Sequence, residues 1–216
     1  MSNEALYANR FSDADSRARR DLWQVLVTDF LAQWIPIDGC VLDFGAADCA
    51  FINAVDAERR IAVDVNPDVR AKAEQGVEVV VGKLEPHRFK GEVDVMMASN
   101  VFEHLGSVDE LLTVLSDCAN ALRPDGRLIV IQPNFKYAYR EFYDYLDHSL
   151  PLTDGSLVEA LQLTGFRTER VEARFLPYSA KKARFRAPWM LRLYLRLPVL
   201  WRVFGKQMLV VASLDD

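Results

Sequence analysis

Apolar positions along the chain fall into runs of two kinds, one with helical spacing and one continuous. Between Arg17 and Trp34 they recur at helical spacing, with Leu22, Val25, Leu26, Phe30 and Leu31 on one side, until Pro36, Asp38 and Gly39 close the segment. Cys40–Phe44 is a short apolar run ending on Asp43 and Gly45, the pattern of a strand buried on both faces. Asp48 is placed to cap a helix reaching about Ala57. Ile61–Val65 predicts a second strand, closing on Asp64. Asn66-Pro67-Asp68 then opens a helix, with Pro67 suited to its first turn, and Val77–Val81 is a third strand. Val93–Ala98 predicts a fourth strand, followed by the loop Ser99–His104 and an amphipathic helix over Val108–Leu122. Arg123-Pro124-Asp125-Gly126 reads as a turn and Arg127–Gln132 as a fifth strand. Ser156–Leu163 is helical and is stopped by Gly165, and Phe166–Ala173 and Gln207–Ser213 are the last two strands.

Strands alternating with helices predict an α/β fold: a Rossmann-like, doubly wound, seven-stranded and mostly parallel sheet with helices on both faces. The last two strands lack strand–helix–strand spacing and are expected to form an antiparallel edge. One domain is expected over residues 1–216, with a helix or lid at 1–35, a cofactor-binding half at 40–135 and a substrate-side half at 136–216.

Composition narrows the class. Half of the 216 residues are hydrophobic and 26% are charged, which suits a folded soluble domain. A net charge of -5 argues against general nucleic-acid binding. Cys40, Cys49 and Cys118 form no CxxC pair, so neither a disulfide frame nor a metal site is expected, and a reducing cytoplasmic compartment is the simplest inference. The polar N-terminus does not read as a signal peptide, and no transmembrane run is present. Charge is uneven, however. The aromatic-rich insert 174–206 carries nine Lys or Arg and no acid, leaving 17 basic against 31 acidic groups, a net -14, on the rest. Such a segment suggests an anionic partner.

The candidate chemistry begins at the first strand. Ligands of doubly wound sheets bind beyond the carboxyl ends of the strands, where small residues let backbone approach. Gly45, Ala46 and Ala47 meet that need, and Asp64, at the end of the second strand, is placed to accept hydrogen bonds from ribose hydroxyls. These features suit any adenosine-containing ligand. Asp43, two residues before Gly45 and read as inside the turn, favours a cationic sulfonium nucleoside over a pyrophosphate. Ala47 and Ala50 also stand where a dinucleotide fingerprint needs glycine.

Asp43-Phe44-Gly45-Ala46-Ala47 resembles motif I of class I S-adenosylmethionine-dependent methyltransferases of the type 11 kind, and Val63-Asp64-Val65-Asn66-Pro67 resembles their ribose-binding motif. Ala98–Leu105 is similar to their loop after the fourth strand, and Ala121–Leu128 to their turn before the fifth. Tyr145–Thr153, Ser156–Leu161 and Arg192–Pro198 resemble a bacterial subgroup associated with polysaccharide or glycolipid biosynthesis. The resemblance implies S-adenosyl-L-methionine as cofactor, held by Asp43, Gly45, Ala46, Ala47, Asp64, Val65, Leu84, Asn100 and Val101. It implies methyl transfer to a small molecule or glycoconjugate, with O-methylation of a sugar as the specific expectation. Ala47 departs from the usual glycine of motif I, and Lys83 stands where an acid often meets the adenine amine. These departures keep an alternative open, a weak or inactive binding subunit with the same fold.

Methyl transfer to oxygen needs aligned reactants and a general base. Of the three histidines, His104 follows the fourth strand and His148 follows the fifth, and these two are the candidate bases. Tyr137 and Arg140, in an aromatic-rich stretch, are candidate substrate-binding residues, and Tyr7 is a candidate lid residue. The run Pro188–Phe204 has three open readings. It is a helix lying on an anionic membrane, a wall for a phosphate-bearing or lipid-linked substrate, or a cap packed on the sheet. Pro198 favours two short pieces over one helix.

Overall fold

Alternating burial along the strands sets the architecture. In Val41-Leu42, Val95-Met96 and Leu209-Val210, successive side chains enter opposite core clusters, so both faces of the sheet must be covered. The computed structural model describes residues 13–178 and 187–215. Tyr7 lies outside the described residues.

Seven strands form the sheet: β1 (Cys40–Phe44), β2 (Arg59–Asp64), β3 (Val77–Val81), β4 (Val93–Ser99), β5 (Leu122–Pro133), β6 (Phe166–Glu172) and β7 (Gln207–Leu214). Their order is β3-β2-β1-β4-β5-β7-β6. β1 to β5 pair in parallel, and β7 runs antiparallel to both β5 and β6. The last two strands therefore form an antiparallel edge, as expected. The order reverses between β1 and β4, which opens a crevice at their carboxyl ends.

Eight helices are described: α1 (Asp13–Asp29), α2 (Ala50–Ala54), α3 (Val69–Lys72), α4 (Val108–Ala121), α5 (Phe135–Ala138), α6 (Asp154–Leu163), α7 (Pro188–Arg196) and α8 (Pro198–Phe204). Leu26 of α1, Phe51 of α2, Val69 of α3, Tyr194 of α7 and Trp201 of α8 pack on one face of the sheet. Leu115 of α4 and Leu157 of α6 pack on the other. Ser107 caps α4 by accepting from Glu110 N–H, and Thr153 and Ser156 form a reciprocal capping box on α6.

Three local expectations change. Asp48 does not cap α2: Cys49 takes that position in left-handed conformation with φ 57°, and Asp48 pairs with Arg19 of α1 at 3.2 Å. With Val55 already extended, α2 ends at Ala54 rather than Ala57. The segment Arg123–Gly126 is not a separate turn but an irregularity inside β5, where the register against β4 shifts between Val93 and Val95. Glycine is required there, because a Cβ on Gly126 would lie 2.8 Å from the Val93 carbonyl oxygen.

Candidate active site

β1 leads into the turn Gly45–Cys49, and three of its residues have positive φ: Gly45 at 75°, Ala47 at 47° and Cys49 at 57°. Gly45 meets a second restriction, since a Cβ there would lie 2.5 Å from Val101 Cγ2. The turn is thereby pressed against the loop after β4. Asn100 in that loop is also left-handed, at φ 54°, a conformation asparagine tolerates well. Asp64, at the end of β2, accepts from Ala47 N–H through Oδ2 and from Asn66 N–H through Oδ1, each at 2.7 Å. One carboxylate therefore ties two turns together, and each oxygen keeps acceptor capacity for a ligand.

Asp43 is buried at 3% exposure. Burial first, then the charges of Asp64 and Asp48, push its pKa from 3.8 up to about 8. A backbone N–H bond from Ile52 opposes that shift. A buried acid among acids at the floor of a crevice favours a cationic ligand.

These residues line one cleft of about 730 Å³. It takes in Asp43, Gly45, Ala46, Ala47, Asp64, Val65, Leu84, Asn100, Val101, His104 and His148, so every expected cofactor residue and both candidate bases share a single cavity. Leu22 and Trp23 of α1 form a wall the sequence had not assigned. A second hollow, about 380 Å³, lies at the other end of the sheet, where Asp94 and Arg123 are already paired at 2.6 Å.

His104 closes a 3-10 turn, Phe102–His104, and its Nδ1 lies 3.1 Å from the Asp147 carbonyl oxygen and 3.3 Å from Asp147 Oδ2. The His148 ring stands 5.0 Å from that of His104, stacks on Tyr145 at 4.9 Å, and has Nδ1 3.5 Å from the Tyr178 hydroxyl. Beside them is Glu103, 2% exposed, whose two carboxylate oxygens have no hydrogen-bond partner among the described residues. Burial raises its pKa from 4.5 to about 8. The Glu103 carbonyl oxygen accepts from Ser149 and Leu150 N–H at 2.8 and 3.1 Å, which stitches the turn after β4 to the segment carrying His148.

Tyr137 and Arg140 lie outside the lining of this cleft. The Arg174 guanidinium sits 4.8 Å from the Tyr137 ring, and Arg140 Nε donates to the hydroxyl of Tyr139 at 3.0 Å, on the surface. The tyrosines that reach the cleft are Tyr145 and Tyr178, beside Trp23, Phe44 and Phe51. Tyr145 belonged to the aromatic-rich stretch. Tyr178 follows β6 in an irregular segment with no periodic signal.

Residues 42–130 match the family model described as a methyltransferase domain. No curated protein matches the chain. Among solved structures, the chain is similar to an S-adenosylmethionine-dependent methyltransferase from Archaeoglobus fulgidus, with 20% identity, 90% of this chain and 94% of that one covered, and a TM-score of 0.64. It is similar to the mitomycin 7-O-methyltransferase MmcR, with 18% identity, 94% and 55% covered, and a TM-score of 0.62. It is similar also to the Burkholderia thailandensis 1,6-didemethyltoxoflavin-N1-methyltransferase, solved with 1,6-didemethyltoxoflavin and S-adenosylhomocysteine bound, with 18% identity, 94% and 80% covered, and a TM-score of 0.60. At these identities the structural likeness establishes the fold.

Proposed function

We propose, from the premise that residues 42–130 form a methyltransferase domain of the S-adenosylmethionine-dependent class, that this enzyme methylates an oxygen of a small, sugar-bearing acceptor. The observation that carries the reading is the pair His104 and His148, set 5.0 Å apart in the same cleft as Asp43 and Asp64.

In this reading Asp64 accepts from the ribose hydroxyls, and Asp43 faces the cationic amino and sulfonium groups. Gly45, Ala46, Ala47, Val65, Leu84, Asn100 and Val101 hold the nucleoside through backbone and van der Waals contact. The acceptor enters beside Tyr145 and Tyr178, whose flat faces and hydroxyls suit a sugar ring. Transfer is an in-line displacement: the O–CH3 bond forms as the S–CH3 bond breaks, and its electron pair returns to sulfur. A histidine takes the hydroxyl proton. Asp147, 3.3 Å from His104 Nδ1, orients that ring as the partner of a general base does. The mitomycin enzyme methylates oxygen and the toxoflavin enzyme nitrogen, so fold alone does not choose the acceptor.

A peripheral contact with an anionic membrane or a lipid-linked substrate fits the surface of α7 and α8. Leu191, Tyr194, Leu195 and Trp201 pack inward, which is the cap reading. Trp189, Leu193, Leu197, Val199, Val203 and Phe204 remain 40–63% exposed among Arg196 and Arg202. That is the makeup of an interfacial helix pair.

Three measurements test the reading. Calorimetry with S-adenosylhomocysteine should give one site per chain, and no heat at millimolar ligand would favour the binding-subunit alternative. Labelled methyl transfer to a panel of sugar nucleotides and glycolipids should mark oxygen. His104→Ala or His148→Ala should cut kcat by about 100-fold or more with S-adenosylhomocysteine affinity unchanged. Label appearing only on nitrogen would overturn the oxygen assignment.

A further inference from the structure

Glu103, His104 and His148 each offer one ligand-type atom, and these atoms all lie within 4.8 Å of one another. The geometry points to a binding site for a divalent first-row transition ion, held by these three side chains at the acceptor end of the cleft.

Four observations carry the assignment. The residue types are two imidazoles and one carboxylate, a set that binds such ions on one side and leaves other positions open. Two ligand atoms of one ion can stand no farther apart than about 4.2 Å, given bonds near 2.1 Å, so a small rotation of the rings closes the site. The Glu103 carboxylate is buried with neither oxygen bonded among the described residues, a costly state for an acid unless something cationic completes it. Last, Asp147 sits against His104 Nδ1 at 3.3 Å, the carboxylate–imidazole contact that orients metal ligands from behind. A proton on Nδ1 leaves the Nε2 lone pair for an ion. Cysteine and histidine spacing in the sequence hid the group, because Glu103 and His148 are 45 positions apart and are brought together by tertiary contacts such as the bonds from Ser149 and Leu150 to the Glu103 carbonyl.

The inference deepens the proposed function and rests on its placement of the acceptor beside the two histidines. Glu103, His104 and His148 would hold the ion, and the Lewis acidity it would supply there would make an acceptor hydroxyl more acidic, its proton passing to water as the oxygen takes the methyl group. The histidines would then serve as ligands, in place of the free histidine base.

The test uses the full-length chain after chelator treatment, with Co2+ as the probe, followed by its visible absorption and by calorimetry. One Co2+ per chain is expected. Glu103→Gln and His148→Asn should each weaken it by at least about tenfold. S-adenosylhomocysteine affinity, measured separately on each variant, should stay within about twofold, which also reports that the variant is folded. Absence of a stoichiometric Co2+ site in the wild type, or equal Co2+ affinity in all three proteins, overturns the proposal. If Co2+ binds as expected and S-adenosylhomocysteine does not, the metal site stands and the cofactor assignment falls. If S-adenosylhomocysteine binds and Co2+ does not, a histidine base remains and the metal site falls.

Discussion

The backbone N–H of Ala47 donates to Asp64 Oδ2 at 2.7 Å, and it can do so because Ala47 holds a left-handed conformation at φ 47°. The bond joins the turn after β1 to the end of β2 and builds the floor of the cleft. An alanine is an unfavourable choice for it, since its Cβ crowds the following carbonyl by about 1–2 kcal/mol. Glycine avoids that crowding but loses about 0.5–1 kcal/mol of chain entropy. Ala47→Gly should therefore raise Tm by about 1–3 °C and leave S-adenosylhomocysteine affinity equal or tighter. Ala47→Val, β-branched at the same φ, should lower both. Thermal melts of the three proteins check the order, and a fall in Tm for Ala47→Gly would contradict the left-handed assignment.

Asp64 holds two backbone N–H groups, those of Ala47 and Asn66, and in the proposed complex two ribose hydroxyls as well. Asp64→Ala strands both N–H groups and removes the ribose acceptor. S-adenosylhomocysteine should bind at least about tenfold more weakly, roughly 1.4 kcal/mol. Asp64→Asn keeps one acceptor and should fall between. Calorimetry decides, and unchanged affinity in Asp64→Ala would place the cofactor elsewhere.

Strand runs such as Cys40–Phe44 and Val93–Ala98 were legible because a parallel sheet covered on both faces demands continuous apolar sequence. The cleft floor was legible too, since small residues and strand-end acids have few other uses at that point of the fold. The helix after β1 was overestimated, because a capping residue such as Asp48 has a competing partner that only the tertiary structure supplies, here Arg19. Tyr137 and Arg140 stand outside the cleft lining because aromatic density in a sequence does not say which ring faces inward: Tyr145 does, while Tyr137 lies under Arg174. Glu103 is buried, and that its carboxylate has no hydrogen-bond partner among the described residues is visible only in three dimensions.

Asp43 links cofactor binding to pH. Its pKa is about 8 in the fold against 3.8 in the exposed reference, so the folded apo chain keeps a proton that the unfolded chain has lost between those values. Its contribution to stability is fully present below about pH 4 and is lost as pH rises through about 8. Asp43→Asn should flatten that decline in a series of melts. A cationic nucleoside lowers the pKa of the carboxyl, so binding should release a fraction of a proton near pH 7 and tighten as pH rises toward 8. Calorimetry in two buffers of different ionisation heat counts the proton. Equal apparent enthalpies in both buffers, with no pH trend in affinity, would remove Asp43 from contact with the cation.

The outer surface of α7 and α8 supports the last prediction. Arg192 is bound to Asp29 of α1 at 2.7 Å, which fixes α7 to the body and leaves Arg196 and Arg202 as the cations beside the exposed apolar residues. Each basic side chain near an anionic leaflet contributes about 1 kcal/mol, and partly inserted tryptophan and phenylalanine add apolar burial. In sedimentation with lipid vesicles, the wild type should partition to those containing phosphatidylserine and much less to neutral ones, with binding reduced by salt. Replacing Arg196 and Arg202 with Gln should lose about 2 kcal/mol, a fall of about 30-fold in partition. Trp189→Ala and Phe204→Ala should weaken binding to both kinds of vesicle without altering the salt dependence. These residues sit on the outer face, away from the cleft, so S-adenosylhomocysteine affinity should not change in any of the variants. Equal partition of the wild type to anionic and neutral vesicles would mean that the arginines serve only to keep the cap in solvent.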